Sequence, residues 1–238
     1  TDVDCVHSKN WLQEINILID SESEFIIGPV INKKQPGLLA NLQQIESLLL
    51  AGITVGSAKL KNPLLCSGAN LSYTKSLFKK LQPYKNNHNI LSGDDMFFLE
   101  KTNRNKDCSV GINLKSIVET EGAKSFAEML SRSVRWASKS SELKMYLSTV
   151  FGAIVLIINC SILFMLVLMI LDNDSIVFLI KLCAVKTIVD VLFLVLLANR
   201  YNRYQTIIYF PVMVVFYPFY LFIVYLSTVF SSPVWKGR

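Results

Sequence analysis

The chain has 238 residues and carries 24 Lys/Arg against 18 Asp/Glu, a net charge of +6. That excess of base is mild and spread out, which argues against a nucleic-acid groove and suits a surface near anionic headgroups. Five scattered cysteines with no C-x-x-C spacing argue against a disulfide framework or a zinc site and suit a reducing, cytoplasmic compartment.

The average hides two unlike halves. Residues 1–144 hold 18 Lys/Arg and 15 Asp/Glu, as in a soluble globular domain. Residues 145–238 hold only 6 and 3, set among Ile, Leu, Val and Phe, as in a membrane segment. Thr1 already belongs to a motif, with no basic leader before it. The sequence is therefore expected to start in mid-domain.

In chain order, Thr1-Asp2-Val3-Asp4 opens with alternating carboxylates. In an extended segment Asp2 and Asp4 would point the same way and share one divalent cation; the bland alternative is a solvated turn. Cys5, His7 and the lone His88 are not read as ligands, since a hard ion prefers carboxylates. Trp11 to Asp20 has its apolar residues on one helix face. Phe25 to Val30 reads as a short buried strand ended by turn residues. Leu38 to Leu50 is helical in period, with Gly52 as its stop, and Ile53-Thr54-Val55-Gly56 reads as a strand. Cys66-Ser67-Gly68-Ala69-Asn70 is a polar, glycine-containing loop.

Tyr73 to Leu81 reads as a helix and Pro83 to Asn89 as a loop. Ser92-Gly93-Asp94-Asp95 leads into a helix from Asp94 to Lys101, its two carboxylates at the end where the dipole favours negative charge. Adjacent acids there are often a capped helix start in water; in a cleft, one makes a general base for a hydroxyl. Val110 to Val118 reads as a strand. Strands alternating with helices imply an α/β domain over residues 1–121.

Residues 122–144 form an amphipathic segment. Phe126, Leu130 and Val134 recur every four residues, while Lys124, Arg132, Arg135 and Lys139 lie off that line. Two placements fit: a helix in the membrane interface, favoured by its position before the apolar half, or a surface helix packed on its own domain. Arg132 and Arg135 share one side, where guanidinium groups grip a diphosphate. Trp136 offers a flat face to a sugar or lipid-linked acceptor, or anchors the interface.

Residues 145–238 form a membrane region of about three apolar helices. Met145–Leu171 is uncharged and long enough to span. Ile176–Asn199 contains Lys181, Lys186 and Asp190, the last two spaced to pair on one face. Thr206–Phe230 contains Pro211 and Pro218, which suit a kinked span or a re-entrant hairpin. The first connection, Asp172-Asn173-Asp174-Ser175, is acidic and the second, Arg200-Tyr201-Asn202-Arg203, is basic. The positive-inside rule then places the soluble half and the second connection in the cytoplasm.

The order Asp-x-Asp, Cys-Ser-Gly-Ala-Asn, Gly-Asp-Asp, Arg-x-x-Arg-Trp, apolar spans and Trp235-Lys236-Gly237-Arg238 resembles membrane-bound family 2 glycosyltransferases. That group includes ceramide glucosyltransferases and cellulose-synthase-like enzymes. The resemblance implies an α/β GT-A-type domain, here lacking its first nucleotide-binding half, followed by a transmembrane helical region. It implies an inverting transfer from a nucleotide sugar, UDP-linked, to a lipid or glycan acceptor, with Mg²⁺ or Mn²⁺, and membrane lipids but no nucleic acid as partners. By it, Asp2 and Asp4 hold metal and diphosphate, Asp95 is the base and Asp94 the acid before it. Gly68, Ala69 and Asn70 line the acceptor side, Arg132 and Arg135 close on the diphosphate, and Trp136 presents the acceptor. Arg132 stands where many members have Gln. The expected setting is a bacterial inner membrane, catalytic part facing the cytoplasm. The rivals are a processive polysaccharide synthase, with Lys181, Lys186 and Asp190 lining its tunnel, and a non-catalytic, partner-binding membrane protein.

Overall fold

The computed structural model describes residues 1–85, 93–105, 107–140, 143–171 and 175–230. His88, Ser92, the end of the 83–89 loop, residues 172–174 and the Trp235-Lys236-Gly237-Arg238 terminus lie outside them. The α/β part runs β1 (Val6–His7), α1 (Trp11–Asp20), β2 (Phe25–Ile27), β3 (Val30–Asn32), α2 (Leu38–Lys59), β4 (Leu71–Tyr73), α3 (Lys75–Leu81), α4 (Asp94–Arg104), β5 (Val110–Ile112) and β6 (Val118–Thr120). An amphipathic helix α5 (Phe126–Ser140) follows, then α6 (Tyr146–Leu171), α7 (Ser175–Tyr201) and α8 (Phe210–Phe230).

The strands make two small mixed sheets. In one, β2 lies antiparallel to β4 and parallel to β5; in the other, β6 lies antiparallel to β1 and parallel to β3. Two single strands read from the sequence are in fact pairs. The 25–30 run breaks at Gly28-Pro29, so β2 and β3 enter different sheets, and the 110–118 run breaks likewise between β5 and β6. A proline has no N–H for a ladder. Its carbonyl instead accepts from the Val118 N–H at 3.2 Å, which fixes where the second crossing begins.

Two further readings are corrected. Ile53–Gly56 is helical, and Gly52 does not stop α2. A Cβ on Gly52 would lie 2.6 Å from Phe193 and Leu197, so the glycine serves close packing of α2 against α7. Tyr73 belongs to β4, and helix α3 starts at Lys75 after the Thr74 hydroxyl accepts the Leu77 N–H.

One core joins the halves. Ile31, Leu42, Ile45 and Leu48 pack with Leu194, Leu197, Phe210 and Met213, each buried side chain contributing about 1.5–3 kcal/mol. A second core, Phe25, Ile27, Leu77, Phe98 and Leu99, lies under β2 and α4.

Among the described residues, three helices are long and apolar enough to cross a membrane: Leu38–Lys59, Tyr146–Met169 and Tyr204–Phe230. The first is 44% buried in protein, against 11% for the second, so its apolarity serves the core while that of α6 faces outward. Helix α7 is as long, but carries Lys181, Lys186 and Asp190; the last two pair at 2.6 Å. The third block is one helix, with Pro218 inside and a 3-10 turn before it, rather than a hairpin. At the end of α7 the chain returns to the α/β part: Arg200 donates to the Leu114 carbonyl, and Arg203 pairs with Glu119.

Candidate active site

The carboxylate pair begins α4, whose first turn offers free N–H groups and the positive dipole end. Gly93 supplies the left-handed backbone before it, φ 93°. Asp94 is exposed; Asp95 is half-buried and accepts the Gly68 N–H at its Oδ2, 2.9 Å. Its Oδ1 accepts the Met96 N–H at 2.8 Å. The Cys66 thiol donates to the Asp95 carbonyl at 3.3 Å. Burial pushes that thiol well above its ordinary range, with the Asp95 charge adding to the rise. The Cys-Ser-Gly-Ala-Asn loop and the Gly-Asp-Asp helix, far apart in sequence, thus meet at Asp95.

Asn70 holds this loop in place. It is 3% exposed, and its amide donates to the Pro29 and Ser116 carbonyls at 3.0 and 3.2 Å. Those carbonyls lie at the two places where the chain passes between sheets. Its Oδ1 accepts the Trp11 indole N–H at 3.0 Å. With these bonds made, Asn70 works as a clamp on the sheet corner. A Cβ on Gly28 would sit 2.3 Å from its Nδ2, so residue 28 must be glycine for the clamp to close.

Trp11 also faces the N-terminal motif. Its ring lies 4.5 Å from that of His7, which hydrogen-bonds the Thr1 hydroxyl at 2.6 Å. Asp2 and Asp4 are exposed, and a turn closed by the Cys5 N–H on the Asp2 carbonyl brings them together. This corrects the extended geometry read from the sequence. Asp2, Asp4 and Cys5 each place one ligand atom within 4.8 Å of the others. Two carboxylates on one turn fit a hard divalent ion; the thiol does not.

Helix α5 supplies the basic box. Gln43 of α2 sets its start, donating to and accepting from Ala123 at 3.0 and 2.6 Å. The apolar face of α5 packs on α8: Met129 and Val134 lie with Tyr220 and Val224, and the Tyr220 hydroxyl donates to Ser133 Oγ at 2.6 Å. The sequence offers the membrane interface or the protein's own α/β domain for this face; it packs on α8, a helix of the apolar half. Arg132 pairs with Glu128 at 2.6 Å and donates to the Glu121 carbonyl at 3.1 Å. Arg135 lies within electrostatic reach of Asp95. Burial and then Arg132 lower its guanidinium from the ordinary value, and Asp95 opposes the fall. Trp136 is 55% exposed.

Sequence reasoning missed several residues around Asp95. Trp11 has no local signal beyond heading a helix. Tyr84 lies within electrostatic reach of both carboxylates and of Tyr73, and is pushed up to about 12 by burial, then by Tyr73, Asp94 and Asp95. A cleft of about 400 Å³ opens beside the Asn70 clamp, its wall including Lys9, Asn10, Lys115 and Ser116.

The family model described as Glycosyl transferase family 21 matches residues 2–238. A search of curated proteins finds no match.

Proposed function

The chain belongs to glycosyl transferase family 21, and on that premise we propose that it moves a sugar, with inversion, from a nucleotide-sugar donor to a hydroxyl of a lipid or lipid-linked acceptor at the cytoplasmic membrane face. The observation that carries this reading is the environment of Asp95. The carboxylate is held by the Gly68 N–H and faces the charge of Arg135. It stands in the first turn of α4, held by hydrogen bonds as a positioned base requires.

In this reading Asp95 accepts the proton of the acceptor hydroxyl. The oxygen forms its bond to the anomeric carbon as the bond to the nucleoside diphosphate breaks, and the diphosphate leaves with the electron pair. Arg135 stabilises the charge that develops on that leaving group. Asp94, exposed beside the base, meets acceptor hydroxyls. Trp136 and the Gly68–Ala69 turn bound the acceptor side, and Asn70 keeps that turn in register with α4. Asp2 and Asp4 would hold Mg²⁺ or Mn²⁺, which supplies charge neutralisation to a diphosphate. The sites of Arg200 and Arg203 support the cytoplasmic placement, since the basic connection lies against the α/β part.

The test uses the protein in nanodiscs with Mn²⁺, a panel of nucleotide sugars and a lipid extract as acceptor. Release of nucleoside diphosphate should require the metal, one donor and lipid, and should vanish in Asp95→Asn. Folded protein that releases nothing with any donor, or an Asp95→Asn variant that turns over normally, would sink the reading.

A further inference from the structure

The mouth of the membrane half holds a cavity that the transfer reaction does not use. It measures about 190 Å³, several times the ~30 Å³ that a water occupies in the liquid. Three separate stretches build it: Asn62–Leu64 after α2, the last turn of α4 with Asn103 and Arg104, and Lys144 to Ser148 leading into α6. Hydrogen bonds hold these walls. Asn103 donates to the Pro63 carbonyl at 2.9 Å, and the Ser148 hydroxyl donates to the Leu64 carbonyl at 2.8 Å.

Its charge is specific. Arg104 and Lys144 both line it, with Glu100 as the one acid. Glu100 is 8% exposed and its oxygens are taken, Oε1 by Arg104 at 2.8 Å and Oε2 by the Lys144 backbone N–H at 3.1 Å. That pairing fixes Arg104 on the wall; among the described lining residues one positive charge, on the exposed Lys144 side chain, is left over. Met145 stands at the head of α6, accepting the Thr149 N–H, and its thioether cannot cap the helix.

Depth decides the ligand. The uncharged run begins at Met145, so in a bilayer the cavity sits where hydrocarbon gives way to headgroups. The anion most abundant at that level is lipid phosphate, and juxtamembrane Lys and Arg attract it. We propose that this cavity binds the phosphate of an anionic membrane lipid, with Arg104 and Lys144 as its ligands. It is a lipid site separate from Asp95 and its acceptor. The proposal rests on the membrane placement of α6 and not on the transfer reaction.

The experiment begins with reconstitution of the whole chain into vesicles. Failure to insert overturns the membrane placement itself, and the proposal with it. Inserted protein is then titrated with spin-labelled phosphatidylglycerol and phosphatidylcholine, and lipid immobilised on the protein is read by electron paramagnetic resonance. One immobilised phosphatidylglycerol per chain, preferred over phosphatidylcholine, is expected. Lys144→Gln and Arg104→Gln should each weaken it about fivefold, the worth of one juxtamembrane cation, while Arg104→Lys retains it. Glycerol phosphate in solution should not compete; if it displaces the label, the site takes soluble phosphate and the lipid assignment is wrong. Equal immobilisation of both lipids, or no change in Lys144→Gln, also overturns the proposal. Lys144 meets Glu100 only through its backbone N–H, so its side-chain substitution leaves the fold's bonds in place.

Discussion

Gly68 donates its backbone N–H to Asp95 across 27 residues of sequence, at 2.9 Å. That bond lets a loop after α2 and the first turn of α4 share one carboxylate. It uses one lone pair of Oδ2 and leaves others, since an ionised carboxylate has about four acceptor sites.

Asp95→Asn should cut transfer by about 10²–10⁴-fold, the usual worth of a positioned base. An asparagine oxygen accepts only one of the two N–H groups, Gly68 and Met96, that Asp95 accepts, so the variant should lose about 1 kcal/mol of stability and still fold. The check is nucleoside diphosphate release beside a thermal melt. A folded variant that turns over normally would refute the assignment.

Asp2→Asn and Asp4→Asn should each weaken Mn²⁺ binding, measured by electron paramagnetic resonance of the free ion. Removal of the ion by a chelator should have the same effect on turnover. Cys5→Ser should leave Mn²⁺ binding unchanged, because a thiol is a poor partner for a hard cation. Equal effects from all three would point to a general disturbance of the Asp2–Cys5 turn.

Gly28→Ala should be among the most destabilising small changes in the α/β part. The added methyl meets Asn70 at 2.3 Å and displaces an amide with buried bonds, at a cost of about 3 kcal/mol. Trp11→Phe removes the indole donor to Asn70 and part of the ring, and should cost about 1–2 kcal/mol. Denaturant midpoints rank the two; the reverse order would mean that Asn70 can move freely.

Gly52→Ala should loosen α7 from α2, since the new Cβ falls 2.6 Å from both Phe193 and Leu197. Overpacking of this kind costs about 1–3 kcal/mol. Faster proteolysis at the end of α7, around Arg200 and Arg203, reports it.

Cys66 should resist alkylation in the folded protein near neutral pH. Its pKa is raised by burial and by Asp95, and the thiolate is the reactive form. Mass-spectrometric mapping after iodoacetamide should find half-buried Cys66 modified much more slowly in the native protein than in denaturant. Equal rates would contradict the raised thiol.

Elements with a strong period or a clear boundary were legible in the sequence. Helix α1, the N-terminal half of α2, the start of α4 and the three apolar helices fall where hydrophobic spacing puts them. The errors share a cause. Gly52 reads as a stop because glycine usually ends helices, but here a partner helix needs the space, and the partner is distant in sequence. The 25–30 and 110–118 runs look continuous because β-branched residues, Ile26, Ile27 and Val30 in one and Val110, Ile112, Ile117 and Val118 in the other, stand on both sides of each break. Their breaks are visible only once Asn70 is seen bridging Pro29 and Ser116. The Asp94-Asp95 and Arg-x-x-Arg-Trp motifs could be picked out in one dimension, whereas the approach of Arg135 to Asp95 depends on how α5 seats on α8. Trp11 could not have been found at all, because what marks it is a hydrogen bond to a residue 59 positions away.

The bond between the Tyr220 hydroxyl and Ser133 fastens the basic box to the last apolar helix. Helix α5 is thus held from two sides, by Gln43 of α2 at its start and by α8 along its apolar face, and α8 itself packs on α2 through Phe210 and Met213. The basic box works as a splice across the seam between the two halves, so Arg135 keeps its place relative to Asp95 only while both halves stay docked.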